Sequence, residues 1–337
     1  MIHISPEITD YIQLIGGLVI LVVAGNYLVD SASDIAKKFH LSSLIIGMTI
    51  VAFGTSMPEL FVSVQAGLDG HPEMSIGNVL GSNIANIGLI LSLTVLIYPI
   101  FASQRSIKVD WVFMMIISVL LLLAALDGLF SRIEGCIGVA LLTGFTIWSI
   151  KNQRKEKGEN GEVFESAKKN IWLNLLIFVV AVVALAFGSN QLVAGASGIA
   201  TQFGVSERVI SVVIVGIGTS TPELTASLVA ALKKEDGISL GNIIGSNIFN
   251  ILSVLGLTSI ITPIHFSYNE FHSDFIWLLV FSFLLFIGML NITENRKKYA
   301  KSGKLRDLVS TRQGLIGRIW GGFTLALFIY YIVTLFI

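Results

Sequence analysis

Apolar residues run along the chain in stretches of 17 or more, separated by short polar breaks, and neither strand alternation nor an amphipathic stripe interrupts them. Each stretch is long enough to cross a hydrocarbon layer about 30 Å thick as a helix. Ten spans are expected, near Ile12 to Val29, Ser43 to Leu68, Ile76 to Pro99, Val109 to Leu126, Ile133 to Ile150, Ile171 to Ala186, Val209 to Leu232, Ile238 to Ile261, Phe275 to Leu290 and Leu315 to Phe336. The pattern predicts an all-α polytopic membrane protein with no separate soluble domain. The N-terminal segment lacks a basic region, so the first apolar run is expected to remain as a span.

Composition agrees. Of the 337 residues, 54% are hydrophobic and 13% charged, outside the range of soluble domains. The net charge of zero gives no reason to expect a nucleic-acid partner. Its distribution says more, because 20 of the 22 basic residues fall in loops that follow odd-numbered spans, among them Lys37, Lys38, Arg105, Lys108, Lys151, Lys233, Lys234 and Arg318. Only Arg132 and Arg208 fall in the others. The positive-inside bias therefore predicts cytoplasmic odd-numbered loops, external termini and residence in the cell membrane. The sole cysteine, Cys136, lies in a predicted span as structural filler, and the five histidines lie near span ends or in loops.

Two segments share their wording. Residues 54–93, beginning GTSMPEL, align without gaps to residues 218–257, beginning GTSTPEL, at an offset of 164 and with half of the forty positions identical. The match extends upstream from LVDSASDIAKKF at 28–39 to LVAGASGIATQF at 192–203. Each half holds five spans. Because five is odd, equivalent spans cross in opposite directions, so an inverted-topology repeat is expected. Residues 1–150 form the first half and 171–337 the second, joined by a charged, flexible cytoplasmic linker at 151–170.

The repeated motif puts proline and glutamate inside apolar spans. Pro58 and Pro222 deprive the carbonyls of Gly54 and Gly218 of their helical donors, so each span is expected to break near the midplane and to turn those carbonyls into ligands. Ser56 to Glu59 and Ser220 to Glu223 also spell S-x-x-E, a helix capping box. Capping accounts for serine and proline; glutamine would cap equally well, whereas an acid at mid-bilayer costs at least about 2.5 kcal/mol. A charged role for Glu59 and Glu223 follows. In the next span Asn78, Ser82 and Asn86 recur every four residues on one helix face, as do Asn242, Ser246 and Asn250. Gly77 and Gly81, and likewise Gly241 and Gly245, have the spacing of close helix contacts. Asn78, Asn83, Asn242 and Asn247 read as interhelical hydrogen-bonding residues, and Ser82, Asn86, Ser246 and Asn250 as ligands.

Carboxylates, hydroxyls, amide oxygens and freed carbonyls make an all-oxygen site, suited to Ca²⁺ or Na⁺ and ill suited to zinc, copper or iron. Two ionised glutamates are neutralised by one Ca²⁺ or two Na⁺, so the ions can compete for one place. Competition at one site is the basis of exchange. The only bound species expected are the transported ions; no cofactor is needed.

The paired GTSxPE and GNxxGSNxxN segments resemble the alpha repeats of the sodium/calcium exchanger family, within the calcium:cation antiporter superfamily. The resemblance implies that Glu59 and Glu223 are central ligands, joined by Thr55, Ser56, Ser82 and Asn86 from one half and by Thr219, Ser220, Ser246 and Asn250 from the other. It further implies that the first and sixth spans move as gates, and that inward sodium drives calcium outward. Some family members, potassium-dependent ones included, carry Asp where this chain has Asn250, so potassium-independent exchange is expected here; separately, the chain is expected to be a monomer. A proton-coupled calcium antiporter is the alternative, since buried glutamates can carry protons. An enzyme would need a nucleophile–base pair or a His/Cys metal set within the spans, and none is evident. Two inverted broken helices suit gated exchange better than an open channel.

Overall fold

The computed structural model describes residues 6–160, 170–205, 216–290 and 314–335. Twelve helical segments make up almost all of it: α1 (Pro6–Lys38), α2 (Ser43–Thr55), α3 (Met57–Leu68), α4 (Pro72–Ile97), α5 (Ser106–Asp127), α6 (Arg132–Asn160), α7 (Ile171–Gln202), α8 (Gly216–Thr219), α9 (Thr221–Leu232), α10 (Asp236–Ile261), α11 (Tyr268–Leu290) and α12 (Arg318–Thr334). Short strands β1 (Ile100–Ala102), β2 (Leu129–Phe130), β3 (Ile264–His265) and β4 (Gly314–Ile316) pair as β1–β4 and β2–β3, both antiparallel.

The protein is a multi-pass helical membrane protein. Among the described residues seven helices are long and apolar enough to cross a bilayer, and an eighth span is the bent pair α2–α3. Of the ten spans expected, the last is the shorter apolar helix α12, its first residues taken by β4. The seventh is represented by α8 and α9, because residues 206–215 lie outside the described segments. Two other differences concern length. Helices α1 and α7 outrun their apolar stretches, continuing through the repeated LVxxAS segments to Lys38 and Gln202. Helix α6 continues to Asn160, well into the segment expected to be a flexible linker, since Lys, Arg, Glu and Gln are good helix formers in water. The remainder of that linker, 161–169, lies outside the described residues, as do the chain termini.

Burial sorts the helices. About four-fifths of the apolar window of α10 and 72% of that of α4 are buried, against 11% for α6, so the two helices bearing the GNxxGSN motif form the centre and α6 is a peripheral, lipid-facing element. Cys136, on α6, is exposed. One apolar core joins α4, α5, α10, α11 and α12; a second joins α1, α2, α7 and α9.

Glycine permits the closest approaches. A Cβ on Gly17 would meet the amide nitrogen of Leu192 at 2.5 Å, and Gly195 sits directly against the backbone of Leu14, so α1 and α7 touch backbone to backbone and run antiparallel. On α10, a Cβ at Gly241 or Gly245 would lie 2.5 Å or 2.6 Å from the backbone of Leu44 or Met48 on α2. The partner expected for Gly77 and Gly81, the repeat equivalent of α2, falls largely outside the described residues.

Connections cluster at two opposite ends of the bundle. At one end β1 pairs with β4, Phe101 donates its backbone N–H to Asp236, Arg318 donates to the carbonyl of Ile97, and Lys233 bonds Asp30 at 2.7 Å. At the other, β2 pairs with β3 and Gln202 donates to Asp10. Among the described residues, those that follow the third and seventh spans and those that precede α12 meet at the first end.

Candidate functional site

Both spans break where proline demands it. Helix α2 ends at Thr55 and α3 starts at Met57 with a bend of 44° at Ser56; α8 likewise ends at Thr219 and α9 starts at Thr221, with Ser220 between them. The serines stand at N-cap positions, yet neither side chain caps its own helix. They reach across instead. The Ser56 hydroxyl donates to Glu223 Oε1 at 3.0 Å, and the Ser220 hydroxyl donates to Glu59 Oε1 at 3.3 Å. Each break thus holds the acid of the other, and the capping box written in the sequence is not formed.

The backbones of those acids are fixed by repeated contacts. Asn78 donates to the Glu59 carbonyl at 3.1 Å and to Ser63 Oγ at 2.9 Å; Asn242 donates to the Glu223 carbonyl at 3.4 Å and to Ser227 Oγ at 3.0 Å. Ser75 and Ser239 then tie the starts of α4 and α10 to the carbonyls of Ser63 and Ser227, each at 2.7 Å. These four serines were not singled out from the sequence. The signal was present, because all four are identities at the repeat offset.

Helices α4 and α10 each contain a π-helical turn, and these begin at Asn86 and Asn250. A π turn leaves part of the i→i−4 ladder open and re-aims the side chains that follow, a common device at functional positions. The turn from Asn86 packs on α9, and that from Asn250 packs on α3, so each turn lies against the broken span of the other half. Asn250 donates to Asn83 Oδ1 at 3.2 Å. Thr55 donates to Asn242 Oδ1 at 3.2 Å, and Ser82 Oγ lies 3.5 Å from Ser220 Oγ.

Of the ten candidate ligands, nine are no more than 4% exposed and Thr219 is half-buried. Glu59 and Glu223 are close enough to interact electrostatically. Glu59 Oε2, Glu223 Oε2, Asn86 Oδ1, Asn250 Oδ1 and Ser246 Oγ are buried with no hydrogen-bond donor or acceptor from the protein. Unpartnered oxygens such as these are free to accept a ligand, and carboxylate, amide and hydroxyl oxygens are the donor types that hold hard cations.

One expected contribution is changed. The carbonyl of Gly218, freed by Pro222, accepts a 2.6 Å hydrogen bond from Ser189 on α7 and is therefore already partnered. At the repeat-equivalent position α1 carries Gly25, which has no hydroxyl to offer Gly54. Asn247, expected to bridge helices, donates to Ile243 of its own helix; Asn83 does bridge them, through Asn250.

The sodium/calcium exchanger protein family matches residues 10–151 and 173–337. The chain belongs to the sodium/calcium exchanger family. Among relatives, it is 31% identical over 293 residues to the sodium/calcium exchanger MaX1 of Methanosarcina acetivorans, covering 76% of this chain and 84% of that one. It is 33% identical over 283 residues to the inner membrane protein YrbG of Escherichia coli, covering 80% and 86%. In structure it resembles the sodium-calcium exchanger NCX_Mj, solved after soaking in Na⁺ without Ca²⁺, with a TM-score of 0.78, 30% identity and coverage of 98% of this chain and 99% of that one. This exchanger-family chain is a membrane transporter and not an enzyme.

Proposed function

We propose that this transporter exchanges Na⁺ for Ca²⁺ by alternating access and serves to extrude Ca²⁺. The observation that carries the reading is the crossed pairing of Ser56 with Glu223 and of Ser220 with Glu59, which makes one site out of two helix breaks. Glu59 and Glu223 are its central ligands, with Thr55, Ser56, Ser82, Asn86, Thr219, Ser220, Ser246 and Asn250 around them. Two carboxylates balance one Ca²⁺ or two Na⁺, so loading with one ion displaces the other.

Ten spans arranged as two inverted five-helix repeats, 1–150 and 171–337, account for the way the halves meet. Repeat-equivalent helices α1 and α7 run antiparallel, as inversion requires, and both β ladders join a strand of one half to a strand of the other. Such a pair of halves can open a shared site to one face at a time. The end of the bundle that gathers Arg318, Lys233 and β1 is the cytoplasmic one, and the linker 151–170 lies on that side.

The test is calcium uptake into proteoliposomes loaded with sodium, at clamped pH and membrane potential. Uptake that needs the sodium gradient is expected. Uptake driven by a proton gradient and indifferent to sodium would replace this reading with proton-coupled calcium antiport.

A further inference from the structure

A cavity of about 240 Å³ opens between α4, α11 and α12, lined by Asn78, Ser82 and Ala85 on one wall and by Asp274, Phe328 and Tyr331 on the other. A single water needs only about 10–15 Å³ measured in this way, so the space admits a hydrated ion. Tyr331 donates its hydroxyl to Asp274 Oδ1 at 2.8 Å. Asp274 is partly buried in the second turn of α11 and, among the described residues, has no ion pair. The cavity shares a wall with the central site: Ser82, which lines it, lies 3.5 Å from Ser220, whose hydroxyl bonds Glu59.

The repeat offset makes the carboxylate more telling. Asp274 is the counterpart of Asp110, so each half carries an acid at the same position. Asp110 is fully buried and faces Arg105 at 3.7 Å, whereas the counterpart of Arg105 is Asn269. One acid is paired with a base of its own half; the other hydrogen-bonds a phenol, interacts with His272 two residues before it, and borders a largely apolar cavity that carries Asn78 and Ser82 on its far wall. Holding Tyr331 requires an acceptor, which asparagine would supply without the cost of a charge in a span. The charge itself has a use, because a carboxylate without an ion pair, set between low-dielectric walls, raises the local concentration of cations.

We propose that this cavity is an entry vestibule for hard cations, with Asp274 as an outer cation-binding carboxylate that passes ions along the Asn78 and Ser82 wall towards Glu59. It serves the face of the membrane marked by the β2–β3 ladder, from which α11 starts. The proposal extends the exchange reading and rests on it for the direction of traffic.

Asp274→Asn and Asp274→Glu are compared with the parent in proteoliposomes, with calcium varied at each face in turn. Asp274→Asn is expected to raise half-saturating calcium about five- to tenfold at the β2–β3 face alone, with the maximal rate within about twofold. Asp274→Glu should restore it. Unchanged half-saturation in Asp274→Asn, or a fall in maximal rate and thermal stability shared with Tyr331→Phe, would reduce the pair to an interhelical tie and overturn the proposal. A second measurement needs no flux: terbium emission from the purified chain, sensitised by Tyr331 and by Trp277, whose ring lies 5.7 Å away. A calcium-displaceable component should survive Glu59→Gln and disappear in Asp274→Asn; its survival in Asp274→Asn would overturn the vestibule. Absence of sodium-driven flux from the parent would bring down the exchange reading alone, leaving terbium to decide this one.

Discussion

At the scale of single residues, the crossing of Ser56 and Ser220 decides between two uses of the same atoms. A hydroxyl that only held the opposite carboxylate in place would compete with an incoming cation, and its loss would tighten binding. A hydroxyl that shares the cation with the carboxylate would do the reverse. In each pair the serine bonds Oε1 of the glutamate and leaves Oε2 buried without a partner, which favours sharing. Ser56→Ala and Ser220→Ala are therefore each expected to raise the calcium dissociation constant about tenfold, or about 1.4 kcal/mol, measured by calorimetry on purified protein. Tighter binding in either variant would assign the hydroxyls to holding alone. Glu59→Gln and Glu223→Gln should each abolish sodium-driven uptake while leaving folded, monodisperse protein; near-normal uptake would remove the carboxylates from the site. The residue types were legible because an acid at lipid depth, spelled twice, is costly. The hydrogen-bond partners were not, since S-x-x-E is a local signature and only the tertiary meeting of the two breaks redirects the serine.

At the scale of elements, the breaks after Thr55 and Thr219 followed from proline chemistry, and the helix ends did not follow from hydropathy. Helices α1, α6 and α7 extend past their apolar stretches because hydropathy reports the thickness of the lipid, whereas the hydrogen-bond ladder continues wherever propensity allows. The π turns at Asn86 and Asn250 left no mark in the sequence, since the stretches that follow them are apolar on almost every face and have no periodicity for an inserted residue to shift. Glycine spacing was legible, and its consequence can be measured. A Cβ at Gly245 would press on the Met48 backbone at 2.6 Å, whereas Gly144 on lipid-facing α6 is exposed and meets nothing within 4 Å. Gly245→Ala is expected to destabilise the protein by about 1–3 kcal/mol through overpacking, and Gly144→Ala to stabilise it by about 0.5–1 kcal/mol through helix propensity. Thermal melting in detergent checks both. Equal effects at the two positions would mean that α2 and α10 do not pack through bare backbone.

At the scale of the whole molecule, two halves that repeat each other's motifs in sequence build a structure whose two sides differ in charge. Asp110 pairs with Arg105, whereas Asp274 has no ion pair among the described residues; Ser189 occupies the Gly218 carbonyl while Gly25 leaves that of Gly54 without an equivalent donor. Repetition was plain in the sequence, and these departures from it were plain only once the offset was combined with the contacts. One property stays symmetric: the π turns of α4 and α10 both begin with asparagine, so the proposed site has two acids and not three. Two carboxylates are fully balanced by one divalent or two monovalent ions, and a further acid at Asn250 would leave a charge for an extra cation to compensate. Replacing choline with potassium at constant ionic strength, on either face of sodium-loaded vesicles, should accordingly change calcium uptake by less than about twofold, because an additional desolvated cation would meet no unbalanced charge to repay its dehydration. Stimulation by potassium well beyond that would mean that some other group supplies a third negative charge to the transported ions.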